Sequence, residues 1–274
     1  MNAAYRKKLR DLKRLYQKKR QRVYMIRRIS AVAILVLLIV LIILGIRGCG
    51  KSKASSGPVV TVIPAETVSP YTPAPMGRIG NVTKSDINQG FFKNSCFVGN
   101  SVIESMEIYE LLDNTDYFAK IGLNVTDASK VAMTNGTVPV IDELNNDKQY
   151  SRIFMMFGEN ELNWPSIDTF KADYAKLIKK AKRYHPSAKV YVLSVTPVSK
   201  TADSQQHEGV TKEAIESFNE HLKDIAEENN ATYVDLFTAL SNSNGFLPED
   251  AATDGIHFGE EYYIKALVCM QNTQ

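Results

Sequence analysis

The feature that most constrains this chain is an uninterrupted apolar run, Ile29–Ile46: eighteen residues without a charge, mostly Ile, Leu and Val. As a helix rising about 1.5 Å per residue it would be roughly 27 Å long, close to the hydrocarbon thickness of a bilayer. A run of this kind is either a membrane span or the core of a cleaved leader. Its length, the 28 residues ahead of it and the lack of an Ala-x-Ala site after it favour a retained transmembrane helix.

The charge balance divides at the same place. The 33 Lys and Arg against 30 Asp and Glu leave +3 overall. Residues 1–28 hold 12 of those basic residues against one acid, Asp11, a net of +11; residues 29–274 therefore hold 21 against 29, a net of −8. Only Arg47, Lys51 and Lys53 follow the run closely. The asymmetry predicts a cytoplasmic N-terminus and an extracytoplasmic remainder, a single-pass protein of the cell membrane. The basic segment then reads as topogenic, with anionic lipid heads as a further contact. No nucleic-acid partner is expected.

Residues 47–90 read as a linker. Pro58, Pro64, Pro70, Pro73 and Pro75 are half of the chain's ten prolines and stand among Ser, Thr, Ala and Gly, a composition that cannot bury a core. The remaining residues, 91–274, are expected to form the folded domain. With 44% hydrophobic residues and three cysteines, the chain is neither disordered, nor collagen-like, nor a disulfide-stapled scaffold.

Within that domain short β-rich runs alternate with helical patterns, the signature of a parallel sheet with crossover helices. Strands are predicted at Ser95–Gly99, Tyr117–Gly122, Ser151–Phe157, Lys189–Val195 and Thr232–Asp235. Helices are predicted at Ser101–Leu112, at Ile167–Tyr184, from about Val210 to Glu228, and from near Gly259 onward. Phe170, Tyr174, Leu177, Ile178 and Ala181 form a regular apolar stripe on the second of these. Five strands with intervening helices make a three-layer α/β/α, doubly wound, flavodoxin-like domain, preceded by the transmembrane helix. In such sheets ligands sit beyond the carboxyl ends of the strands.

The strand ends carry the chemistry. The first strand ends Gly99-Asn100-Ser101, where a glycine permits a sharp turn and the serine would open a helix whose amides favour developing negative charge; Ser101 could equally be a plain helix cap. The second ends at Gly122. The third ends Gly158-Glu159-Asn160-Glu161, which sets an amide side chain at the same rim, although Asn160 could also bond its own loop. Near the C-terminus stands Asp254-Gly255-Ile256-His257. A carboxylate three residues before an imidazole can hold its Nδ1–H and leave Nε2 as a base.

In this order the pieces resemble the SGNH, or GDSL-type, hydrolases, which carry Gly-Asp-Ser after the first strand, Gly after the second, Gly-x-Asn-Asp after the third and Asp-x-x-His before the last helix. The resemblance covers about Phe91–Leu267. It implies a serine esterase in which His257 takes the proton of Ser101, Asp254 orients His257, and the backbone N–H groups of Ser101 and Gly122 with the Asn160 amide form the oxyanion hole. Two residues depart from the family pattern, Asn100 and Glu161, each standing where the family has Asp. No Gly-x-Ser-x-Gly elbow, zinc motif or phosphate loop is present, so neither a metal nor a cofactor is expected.

Family and expected location together suggest O-acetyl esters of cell-wall or extracellular glycans as substrate. The alternatives are a lipid or general acyl esterase, an acyltransferase, and a surface binding module of weak activity, the last motivated by Asn100. Trp164 follows the third-strand motif, either as a platform for a sugar ring or acyl chain or as packing against Pro165. The polar loop from Thr196 to Gly209 either covers the site or is a solvated connector. Cys96 and Cys269 are either a disulfide or two buried thiols, and Cys49 abuts the apolar run. Sequons at Asn81, Asn124, Asn135 and Asn230, one of them beside Gly122, fit a bacterial surface protein better than a glycosylated one.

Overall fold

The computed structural model describes residues 78–134, 136–206, 209–252 and 254–273. A short helix α1 (Gln89–Phe92) leads into strand β1 (Ser95–Gly99), helix α2 (Ser101–Glu107), β2 (Asp116–Ala119) and β3 (Arg152–Met156). Helix α3 (Ile167–Tyr184), β4 (Lys189–Leu193), α4 (Lys200–Gln205), α5 (Lys212–Glu228), β5 (Thr232–Val234), α6 (Leu236–Leu240) and α7 (Glu260–Asn272) complete the order. All strand pairs are parallel, in the order β2-β1-β3-β4-β5. The order reverses between β1 and β3, so the carboxyl end of β1 lies at the topological switch point.

Strand periodicity sends alternate residues to opposite faces. Cys96 and Val98 of β1 join Ile153 and Met155 of β3 and the apolar stripes of α3 and α5 on one face. Phe97 and Phe154 join α2, α6 and α7 on the other. On this second face a ladder of rings crosses four strands: Tyr117, Phe97, Phe154 and Tyr191 stand in register, with centroids 5.4, 4.8 and 4.7 Å apart at each step. At each step the ring planes are close to parallel, at 13°, 15° and 22°.

The two long helices start on side-chain caps, Ser166 accepting from the Thr169 amide and Thr211 from the Ala214 amide. Asn219 of α5 pins the end of β4 by accepting from the Val195 N–H at 2.8 Å and donating to the Val195 carbonyl at 3.1 Å. The chain ahead of β1 joins the packing too: Ile79 donates its amide to the Ala239 carbonyl at 3.1 Å, and Ile87 is buried.

One expectation is corrected and one open alternative is decided. The membrane anchor is withdrawn: among the described residues no helix is long and apolar enough to cross a membrane. The longest, α3, has the length of a span, but Lys171, Lys176, Lys179, Lys180, Lys182 and Arg183 give it a charged outer face, the pattern of a helix laid on a soluble core. Among the described residues the fold class is the α/β domain, and no transmembrane helix precedes it there. Single-pass membrane attachment, the cytoplasmic N-terminus and the extracytoplasmic, cell-surface placement go with it. The segments on which those expectations rested, residues 1–28, 29–46 and 47–77, lie outside the described residues, as do Cys49, Asn135 and His207.

Of the two alternatives for Cys96 and Cys269 the structure has the buried thiols, both free. Their side chains enter cores on opposite faces of the sheet, so no disulfide geometry is available. Burial pushes the Cys96 thiol well up from its ordinary value and the Cys269 thiol up to about 12. Neither is a reactive thiolate at neutral pH.

These arrangements make two predictions. Phe154→Ala, which removes the centre of the ring ladder, should cost about 3–5 kcal/mol in denaturant unfolding; a loss under about 1 kcal/mol would show that the ladder is dispensable. Iodoacetamide should leave Cys96 and Cys269 unmodified in native protein and alkylate both after denaturation without reductant, as read by peptide mapping. A linked Cys96–Cys269 peptide would refute the opposite-face placement.

Candidate active site

Parallel pairing brings three strand ends to one edge. Gly99 is in register with Ala119 and with Met156, so the segments that follow β1, β2 and β3 leave the sheet side by side. The Lys120 amide donates to the Gly99 carbonyl at 3.2 Å, tying the second segment to the first. Gly99 is needed here for space: a Cβ would meet the Met156 carbonyl oxygen at 2.6 Å and Ile103 at 2.9 Å.

At the end of β1 it is Asn100, not Ser101, that caps α2. Its Oδ1 accepts from the Val102 amide at 3.1 Å. The Ser101 hydroxyl is thereby left for another partner, and His257 Nε2 lies 2.9 Å from it. Ser101 is only 4% exposed. The other side-chain atom of Asn100, Nδ2, is buried without a hydrogen-bond partner, so the departure from the family's Asp leaves one donor unused.

The Asp254–His257 turn is built from its own backbone. Asp254 Oδ1 accepts from the amides of Ile256 at 3.0 Å and His257 at 2.8 Å, while Oδ2 faces His257 Nδ1 at 2.9 Å. Burial pushes the Asp254 carboxyl up, but the imidazole and the two amides outweigh it and hold the group well below the carboxylate range. Asp254 is thus ionised throughout the neutral range. An ionised carboxylate only accepts, so Nδ1 carries the proton, and Nε2 is left to accept from the Ser101 hydroxyl.

What holds this turn is a contact that the sequence did not reveal. Ser199, buried at the start of α4, donates its backbone amide to the Gly255 carbonyl at 2.8 Å. Gly255 sits at φ +75°, and a Cβ there would run into Ser199 Oγ and would lie 2.8 Å from Ala202. The loop after β4, of which the described residues are 196–206 and 209, is therefore a buttress behind the His257 turn. The only sequence signal was a Lys-Thr-Ala-Asp run with a serine cap, Ser199, ahead of it, too short for periodicity to register.

On the other side of Ser101, Gly122 takes φ +71° in a turn closed by the Leu123 amide donating to the Lys120 carbonyl at 3.1 Å. Asn160 does not bond its own loop; its Nδ2 donates across to the Leu123 carbonyl at 3.0 Å, next to Gly122. Trp164 is not gathered into this group. It is partly buried against the α3/α5 core and lines a cavity of about 210 Å³ with Glu161, Phe170, Phe218 and His221, whose lining includes none of Ser101, Gly122, Asn160 or His257.

A constellation of serine, imidazole and carboxylate at the switch point of a parallel α/β sheet defines a serine hydrolase site. The model of the GDSL-like lipase/acylhydrolase family matches residues 116–263, more than half of the chain, and the chain belongs to that family. It is a serine hydrolase of the SGNH type, acting on carboxylic esters. The matched range contains Gly122, Asn160, Asp254 and His257; Ser101 precedes it and is tied to it by the bond to His257.

Solved structures agree on the fold. A Streptococcus pneumonia protein provisionally assigned as a platelet activating factor is 18% identical with TM-score 0.53, over 66% of this chain and 83% of that one. A GDSL-like lipase from Bacteroides thetaiotaomicron is 16% identical with TM-score 0.50, over 70% and 89%. A provisionally assigned acylhydrolase from Bacteroides fragilis is 18% identical with TM-score 0.50, over 65% and 85%. At such identities the likeness concerns the fold alone. No match was found among curated proteins.

The buttress predicts that Gly255→Ala disturbs the His257 turn. The variant should lose about 1–3 kcal/mol of stability through the left-handed backbone and at least about tenfold in kcat through the displaced imidazole. Thermal melting and ester hydrolysis, measured together, check both; unchanged kcat would show that the turn does not rely on the contact with Ser199.

Proposed function

We propose that Ser101 is the nucleophile of an acyl-ester hydrolase and that O-acetyl esters of glycans are its substrates. The observation that carries this reading is the continuous chain from Ser101 Oγ through His257 to Asp254, with both links at 2.9 Å. His257 Nε2 takes the hydroxyl proton as Oγ attacks the ester carbonyl, and Asp254 stabilises the imidazolium that forms. The proton then passes to the leaving alcohol, and a water molecule repeats the sequence to release the acid.

The tetrahedral oxyanion requires donors already in place. The backbone N–H groups of Ser101 and Gly122 and the second hydrogen of Asn160 Nδ2 are proposed for that role, supported by the bond that sets Asn160 beside Gly122. The near-complete enclosure of Ser101 supports a small acyl group such as acetyl.

Acetate release from acetylated glycans, compared with short- and long-chain acyl esters, tests the reading. Ser101→Ala should abolish turnover and labelling by a fluorophosphonate probe, and Asn160→Ala should lower kcat about 10²- to 10³-fold. Full activity in Ser101→Ala would refute the nucleophile, and a strong preference for long acyl chains would refute the substrate class.

A further inference from the structure

Glu161 is a buried charge outside the chain from Ser101 to Asp254, only 1% exposed. Among the described residues no cationic side chain pairs with it; both its oxygens accept from backbone amides, Oε1 from Val125 at 2.6 Å and Oε2 from Gly158 at 3.0 Å. Val125 lies three residues past Gly122, in the segment that follows β2. Gly158 opens the turn that carries Asn160, in the segment that follows β3. One carboxylate therefore bridges two loops, each of which supplies a proposed oxyanion donor. The bond from Asn160 to the Leu123 carbonyl makes a second crossing between the same loops.

The arrangement has little slack. Gly158 stands at φ +130°, and a Cβ there would meet Val195 at 2.7 Å and Phe218 at 2.9 Å, so the turn is backed by packed side chains. A side chain at position 161 with fewer than two acceptor oxygens leaves one of the two amides buried and unpaired, and the loop it belongs to is free to shift.

We propose that Glu161 is a positioning residue for ester hydrolysis: its two carboxylate oxygens set the separation of the Gly122 and Asn160 oxyanion donors, and turnover depends on both oxygens accepting. The inference rests on the assignment of those two donors given above.

The same geometry makes the bridge sensitive to protons. Burial pushes the Glu161 carboxyl up to about 7, against the pull of the Val125, Gly158 and Asn160 amides and with a further push from Glu159. The other ionisable groups facing it are Tyr174, fully buried on α3, and His221 of α5 on the wall of the cavity that Glu161 also lines. Protonation turns one oxygen into a hydroxyl whose hydrogen opposes an amide hydrogen, so one link opens as pH falls through neutrality. His257 must also be neutral to act as base. Two separate deprotonations then precede turnover.

The test is kcat and KM for p-nitrophenyl acetate from about pH 5 to about pH 9, with thermal melting, for wild type, Glu161→Gln, Glu161→Asp and Ser101→Ala. Glu161→Gln should lower kcat at high pH about 10²-fold with KM within about threefold, because a misplaced donor acts on the transition state. Glu161→Asp, which keeps both oxygens, should recover about tenfold of that loss. The acid limb of log kcat in wild type should approach a slope of two and fall to one in Glu161→Gln. A folded Glu161→Gln with kcat within about twofold of wild type would overturn the proposal. If that variant does not fold, the wild-type profile decides alone, and a slope of one across the whole acid limb overturns it. Turnover retained in Ser101→Ala would instead remove the underlying reading, and the inference with it.

Discussion

Four stacked rings, Tyr117, Phe97, Phe154 and Tyr191, hold β2, β1, β3 and β4 in register, and everything at the site depends on that register. A slip of one residue would send every ring to the opposite face and bring Cys96 and Val98 into their place. It would also stagger the carboxyl ends, and Ser101, the turn at Gly122 and the turn at Asn160 would no longer leave the sheet at one level. Ring stacking adds about 0.5–1.5 kcal/mol per pair to the burial of the rings themselves. The energy that stabilises the core is thus the same energy that brings the segments after β1, β2 and β3 to one level.

The site distributes its tasks among several residues, each with its own hydrogen-bond partners. Asn100 takes over the cap of α2, which releases the Ser101 hydroxyl to His257. Asp254 is held ionised by its own turn, so it can fix the imidazole tautomer without a proton of its own. Ser199 supports that turn from behind, and Glu161 links the two loops on the other side. Ser101, His257 and Asp254 form the hydrogen-bonded chain; Asn100 and Ser199 contact its flanks, and Glu161 ties together the loops after β2 and β3.

Much of the sheet was legible because buried parallel strands are short apolar runs with polar punctuation. β1 and α3 have the predicted limits, and the other strands begin within a residue of theirs. The strand ends were less legible: β2 stops at Ala119, three residues before the predicted Gly122, because the chain turns from Lys120, whose carbonyl accepts from the Leu123 amide. Helices α1, α4 and α6 went unread, since four to six residues are too few to show a 3.6-residue period. The sequence left Cys96 and Cys269 open between a disulfide and two buried thiols, because the face to which each side chain turns is a property of the assembled sheet. The membrane anchor was argued from hydropathy and charge in residues that the structure does not describe, and the described helices carry no span.

By itself the sequence determined an alternating α/β order, the position of chemically active residues at strand ends, and the pairing of Asp254 with His257, because periodicity and three-residue spacing are local. Only the tertiary structure decided which of those residues meet. Ser101 and His257 stand 156 positions apart, Ser199 supports Gly255 from across a loop, and Glu161 reaches Val125 over 36 residues. Contacts of that kind depend on strand order, register and the space left by packed neighbours, and none of these is written in any one segment of the chain.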